Sequence, residues 1–478
     1  MEAKARNKIL LVLFVGVLMG ALDIAIVGPA LPTIRKSFAV DDRAIAWVFA
    51  IYVLFNLISV PLMAKLADVF GRRTIYLLDV TLFALGSLLV AISPEFWLIL
   101  VGRAVQGFGA GGVFPVASAV IGDTFPPEKR GGALGLIGAV FGIAFLVGPI
   151  LAGVMLAFLS WHWLFVVNLP IAVGVIIAAV RILPSGRATQ QRSFDLIGMI
   201  VLAIGLAALS YGINQIDTKN FGASVVSINV LPFLLVAIIA APIFVYLERG
   251  AANPIINLNL FRSRQVALVS MVSIGAGFAE SAIAFVPALL VAAFSITTST
   301  ASFMLLPAVL AMAVGSPTAG KMLDRYGSRV VLLLGTALSA AGMFVILFVS
   351  VGMVAFYASA ILVGLGLGIL LGAPLRYVML NEARSADRAS AQGVLALNTS
   401  VGQLVGGALV GAVAASFGGG MSGYTTAFLA VGVIMVVMIG LTLGMKSQAE
   451  ERATAKENHV AIEIAATNAP SLPPQTGH

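Results

Sequence analysis

Asp23, Arg103 and Glu280 are charged residues set inside long apolar runs, and each needs a reason to be there. A carboxylate deep in a bilayer costs about 2.5–3.5 kcal/mol on insertion scales, so it must line a watery path or hold a partner. The chemistry open to such groups is proton exchange and charge recognition rather than bond cleavage. At 1.5 Å per residue, Asp23 lies roughly 20 Å into the first run, and Arg103 lies about 10 Å from the opposite face at the start of the fourth. The two can therefore share a depth. One reading has Asp23 exchanging a proton under the control of Arg103. The plain alternative is a static salt bridge.

The elements that carry these residues follow from composition. Apolar residues fill 60% of 478 positions and charged residues 10%, too few to coat a water-soluble domain. Apolar runs of about 20 residues recur along the chain, as helices crossing a roughly 30 Å hydrocarbon layer require. We place fourteen spans at 9–33, 44–66, 74–93, 97–122, 131–158, 162–183, 195–215, 226–247, 266–293, 299–321, 330–350, 353–379, 391–416 and 425–445. The runs do not alternate and hold many of the 50 glycines, which suits helix packing in lipid and not a transmembrane barrel. The expected fold is all-α and polytopic. Cysteine is absent and only three histidines occur, so neither a metal site nor a cofactor is expected. The first run resembles a secretory leader, but its length, Asp23, and Pro29 and Pro32 mark it as a retained helix.

Charge sets the expected orientation. The N-terminus, even-numbered loops and C-terminal tail carry 23 basic residues, against four on the opposite side, so both termini are expected in the cytoplasm. The net charge of +8 then needs no nucleic-acid partner. A repeat is also visible. Asp68, Gly71 and Arg73 return as Asp324, Gly327 and Arg329, 256 positions later, and the same offset carries Asp23 to within one residue of Glu280. Where Arg103 would repeat stands Ser359, so Glu280 has no equivalent arginine and reads as a second proton site or an acceptor for a cation. Two six-helix bundles (1–183 and 251–446) with an inserted linker and hairpin (184–250) account for this pattern. Residues 447–478 read as a disordered cytoplasmic tail.

With those residues in view, the chain resembles the major facilitator superfamily, and within it the fourteen-helix drug:proton antiporter (multidrug efflux) branch. Lys65 to Arg73 is similar to the signature G-x-L-A-D-x-x-G-R-[RK], departing at its first glycine, where Ala64 stands. Further similarity lies in Leu22 to Val27 with Pro32, in Arg103 to Gly107, in Gly142 through Gly148-Pro149 to Gly153, and in Asn253 to Arg262. The resemblance implies proton-coupling roles for Asp23 and Arg103; Glu280, read from the repeat, joins them as a proton-coupling candidate, and Glu280 and Asp23 are the expected substrate-facing acids. It implies a conformational latch at Asp68, Gly71, Arg72, Arg73, Asp324 and Arg329. The Gly142, Gly148, Pro149 and Gly153 helix is associated with antiporters rather than symporters. A plainer reading makes Pro149 an ordinary transmembrane kink and the arginines topological anchors.

The implied function is proton-coupled export of lipophilic small molecules, cations among them, across the cell membrane by a single chain. Export of a lipid or native amphipathic metabolite by the same mechanism fits the residues as well. No nucleophile–base or metal constellation supports an enzyme, and no filter ring supports a channel. Asp79 and Asp123, near helix ends, are expected to be solvated.

Overall fold

The computed structural model describes residues 3–184, 195–251, 254–256, 258–383, 388–451 and 453. Most of the expected linker, and the tail beyond 453, lie outside these residues. Among the described residues the structure is helical, with no strand. Helices α1 (Ala3–Phe38), α2 (Asp42–Phe70), α3 (Arg72–Ala91), α4 (Phe96–Thr124) and α5 (Pro127–Phe158) are single spans. The sixth span joins α6 (Trp163–Val166) to α7 (Asn168–Ile182). Next come α8 (Leu196–Gln215), the short α9 (Phe221–Val225) and α10 (Leu231–Gly250).

The ninth span joins α11 (Arg264–Ile283) to α12 (Val286–Phe294), and the tenth joins α13 (Thr298–Phe303) to the first part of α14 (Leu306–Val345), which continues into the eleventh. The twelfth joins α15 (Met353–Leu371) to α16 (Ala373–Glu382), followed by α17 (Arg388–Ser416) and α18 (Gly420–Leu443). Thirteen spans are long and apolar enough to cross a membrane among the described residues. The fourteenth is α5, whose 32 residues also suffice in length.

Local chemistry explains the helix ends. Asp41 accepts from the Ala44 amide at 2.8 Å and Asp195 from Gly198 at 2.8 Å, each satisfying an orphan donor of a first turn. Four of the expected spans (162–183, 266–293, 299–321 and 353–379) are interrupted, the first at Val167 and the other three just before a proline. Pro287, Pro307 and Pro374 each sit in the first turn of the resumed helix. A proline has no amide to donate and crowds the preceding turn, so the chain restarts there.

The sequence repeat has a backbone counterpart. Gly71 has φ +94° and Gly327 φ +78°, so the same left-handed turn is made at both copies of the repeated loop. A side chain at either site would be strained.

An even number of spans brings both termini to one end of the bundle, the terminal end; the other is the far end. One buried apolar cluster is built from α1 to α5 and α7, around Leu13, Tyr76, Phe83 and Val116. The other centres on α11 to α18, around Val269, Leu289 and Phe428, and takes in Ala30, Ile34 and Ile45 from the far ends of α1 and α2. At the far end the first six spans are thereby joined to the last six.

Candidate functional site

Asp23 projects from the middle of α1 into a polar network built by α1, α3, α4 and α7. Arg103 Nη1 donates to its Oδ2 at 2.5 Å, Gln106 Nε2 to its Oδ1 at 2.6 Å, and Asn168 Nδ2 to the same oxygen at 3.3 Å. Arg103 Nε donates to the Val48 carbonyl at 3.0 Å, and its guanidinium lies 4.1 Å from the Tyr52 ring centroid. Gln106 also donates to Ser87 Oγ at 2.8 Å. Asp23 and Arg103 are both 0% exposed. The expected pairing at a shared depth is present, and in this conformation it is sealed from the cavity. A buried ion pair persists only when its remaining lone pairs and protons are met, and Gln106, Asn168 and Val48 meet most of them. Arg103 Nη2 and the Tyr52 hydroxyl have no hydrogen-bond partner among the described residues.

Glu280, near the end of α11, lies on the other side of the wall. It lines a cavity between the two bundles, walled by Ile24, Ala25 and Pro29 of α1, Phe49 of α2, Phe145 and Pro149 of α5, and Ala308 and Met312 of α14. The side chain of Gln403, from α17, lies beside Glu280 in the same lining. Among the described residues no basic side chain lines this cavity, and Ser359 spends its hydroxyl on the Gly342 carbonyl at 2.7 Å. A carboxyl facing apolar walls with one amide neighbour favours a positive ligand or its own proton. Asp23, expected to face substrate as well, stands behind the cavity lining.

The glycine-rich helix α5 forms one cavity wall. A Cβ at Gly148 would collide with the Ala25 methyl, and one at Gly153 would fall 2.9 Å from the Phe303 ring, so these glycines set how closely α5 approaches α1 and α13. The packing around Gly142 lies outside the described residues.

At the terminal end Asp68 pairs with Arg72 across the Gly71 turn, and Arg72 Nε reaches Asp123 at 3.3 Å. These contacts stay within the first bundle, as does Lys446–Glu382 within the second. The Asp324 side chain lies outside the described residues. Among the described contacts none carries Asp68, Arg73 or Arg329 to the opposite bundle. At the far end, contacts cross between bundles: Thr33 to Thr298 at 3.1 Å, Ser299 to the Gly153 carbonyl at 2.6 Å, and Tyr424 to Asp42 at 2.5 Å.

Two carboxylates depart from or refine the expectation. Asp123 is largely exposed, as expected of a helix end. Asp79 is fully buried rather than solvated, with its carboxyl packed over Gly112 of α4 and both oxygens without a hydrogen-bond partner among the described residues. The missing Cβ at Gly112 opens the slot that Asp79 fills. Asn168, Ser87 and Gln403 were not singled out in the sequence, and Gln106 only as part of the Arg103 to Gly107 segment. Each is a polar residue within an apolar span, and Gln106 lies one turn beyond Arg103 on the same helix face, which was the available signal.

A many-span helical bundle with a cavity between two joined halves is the architecture of a membrane transporter. The chain belongs to the Major Facilitator Superfamily, whose family model matches residues 13–279 and 266–473. It is 32% identical over 406 residues to the uncharacterized MFS-type transporter YfiU of Bacillus subtilis, covering 84% of this chain and 78% of that one. It is 31% identical over 410 residues to the multidrug resistance protein Stp of Mycobacterium tuberculosis, covering 84% and 74%. Among solved structures, a bacterial homologue of the lysosomal transporter Spinster, inward-facing and unoccupied, superposes with a TM-score of 0.65 at 15% identity, covering 96% of this chain and 99% of that one. The protein is accordingly a multi-pass membrane transporter and not an enzyme.

Proposed function

We propose that this transporter is a proton-coupled antiporter that exports lipophilic small molecules, cations among them, by alternating access between residues 1–183 and 251–446. The observation that carries the reading is the separation of two acids. Asp23 is held by Arg103 inside the first bundle, while Glu280 faces the cavity with the Gln403 amide beside it. One acid is placed to exchange a proton linked to bundle movement, the other to meet a ligand's charge. The names of relatives such as Stp and the multidrug resistance protein 3 of Bacillus subtilis support the drug-export reading.

Both termini are assigned to the cytoplasm on the 23-to-four division of basic residues, which makes the terminal end the cytoplasmic one. The described far-end contacts then correspond to an inward-facing arrangement. In the opposite state Asp68 is expected to leave Arg72 for the second bundle and act as a latch. Since both bundles lie in one chain, the working unit is a monomer.

Uptake into inside-out proteoliposomes under an imposed pH gradient, run with cationic, neutral and lipid substrates, tests the proposal. Accumulation that follows the gradient is expected. Transport indifferent to the gradient would overturn the coupling. The almost wholly apolar cavity favours one further reading, export of a native lipid, which the lipid arm of the same assay separates.

A further inference from the structure

Among the described residues, the inserted hairpin α8–α10 is hydrogen-bonded to both α2 and α17 at the far end. Residues 214–218, which follow from the last turn of α8, sit where the start of α2 meets the end of α17. Arg43 Nη2 of α2 donates to the Ile216 carbonyl at 3.1 Å and to Ser416 Oγ of α17 at 3.3 Å. Trp47 Nε1 donates to Asn214 Oδ1 at 3.2 Å, and Asn214 Nδ2 returns to the Arg43 carbonyl at 3.3 Å. The Thr218 amide donates to Ser416 Oγ at 3.0 Å, and Ser416 in turn donates to the Ala412 carbonyl at 2.8 Å.

The segment is itself held in shape. Asp217 accepts from the Lys219 amide and from Asn220 Nδ2, both at 3.0 Å, closing the turn. Asn214 is 1% exposed, and a Cβ at Gly411 of α17 would fall 3.0 Å from its amide nitrogen. Behind it, α10 braces α8 through Phe233 and Tyr211, whose ring centroids are 4.3 Å apart, and Tyr211 leans on Trp47 at 6.0 Å. Along its length α8 packs on both α2 and α17, whereas α10 packs on α8 and touches neither bundle as closely.

We infer that the hairpin is a tie on the far-end gate: residues 214–218 hold the far ends of α2 and α17 together and bias the transporter toward the state closed at that end. This rests on the alternating-access reading. Opening the far end requires α2 and α17 to part there, and a segment bonded to both can follow only one. Hydrogen bonds to Ser416 or to Arg43 and Trp47 must then break. Each neutral bond contributes modestly, about 0.5–1.5 kcal/mol, so losing one should raise the far-end-open population by roughly two- to tenfold. The hairpin thus sets the equilibrium without lining the cavity.

The test uses the full chain in lipid nanodiscs, with spin-label pairs introduced into a protein that has no native cysteine. Glu95→Cys with Ser422→Cys reports the far end, and Thr74→Cys with Lys321→Cys reports the terminal end. Asn214→Ala, Ser416→Ala and Trp47→Phe are then added singly. Each is expected to lengthen the far-end distances and shorten the terminal-end ones, with Trp47→Phe guarding against misfolding of the smaller replacements. Bridging Thr218→Cys to Ser416→Cys with a short cross-linker should do the reverse. If the parent chain shows both states and all three substitutions leave the populations unchanged, the tie is wrong. If the parent shows only one state under every pH and substrate, it is alternating access that fails instead.

Discussion

Asp23 and Arg103 meet at 2.5 Å with neither side chain exposed, while the cavity passes one residue away, at Ile24. Asp23 and the cavity are therefore adjacent on α1 yet separated by its wall. On the proposed coupling role, a substitution at Asp23 should alter transport without removing a cavity contact.

Asp23→Asn is expected to abolish pH-driven accumulation while leaving substrate binding measurable. It also leaves Arg103 buried without its counter-charge, a change that costs about 3–5 kcal/mol when one partner of a buried pair is removed. A lower melting temperature in detergent should accompany it, and the double change Asp23→Asn with Arg103→Gln should recover part of the loss. Full gradient-driven accumulation by the single variant would show that the proton is carried elsewhere.

Glu280→Gln should weaken a monocationic substrate by roughly tenfold, about 1.4 kcal/mol, and leave a neutral substrate of similar size within a few-fold. The amide keeps the shape and the Gln403 neighbour while removing the charge. Equal losses for both substrates, measured by direct binding, would assign Glu280 a packing role.

Asp68→Asn removes the carboxylate now held by Arg72. If Asp68 latches the opposite bundle when the terminal end closes, the variant should favour the arrangement described here, read as longer Thr74–Lys321 label distances at steady state. Unchanged distances would reduce Asp68 to a local partner of Arg72.

Gly107→Ala should destabilise the first bundle by about 1–3 kcal/mol, the usual cost of overpacking. A Cβ there would collide with the Tyr52 carbonyl, which belongs to α2 backbone that cannot swing aside. Thermal unfolding of the purified protein checks this, and Gly122→Ala, which meets nothing within 4 Å, is the matched control.

An intact-cell labelling experiment addresses orientation. A cysteine introduced at Lys446 should resist an impermeant thiol reagent, and one at Ser422 should react. The reverse pattern would invert the assignment drawn from basic residues.

The sequence by itself determined that the chain is a helical membrane protein, because a bilayer demands long apolar runs and admits few charges, and both are legible residue by residue. It also exposed the repeat, since Gly71 and Gly327 sit in the same register for a backbone reason that only glycine satisfies. It named Asp23, Arg103 and Glu280, because a charge in an apolar span is conspicuous. Only the tertiary structure decided what each acid faces. Helix rotation and the neighbours on α3, α7 and α17 are non-local, so nothing in the α1 sequence says that Asp23 turns to Gln106 and Asn168 while Ile24 turns to the cavity. The burial of Asp79 depends on a glycine 33 positions away on another helix. The placing of the hairpin on the α2–α17 seam depends likewise on hydrogen bonds between residues as far apart as Arg43 and Ser416, a proximity that packing creates and spacing along the chain does not encode.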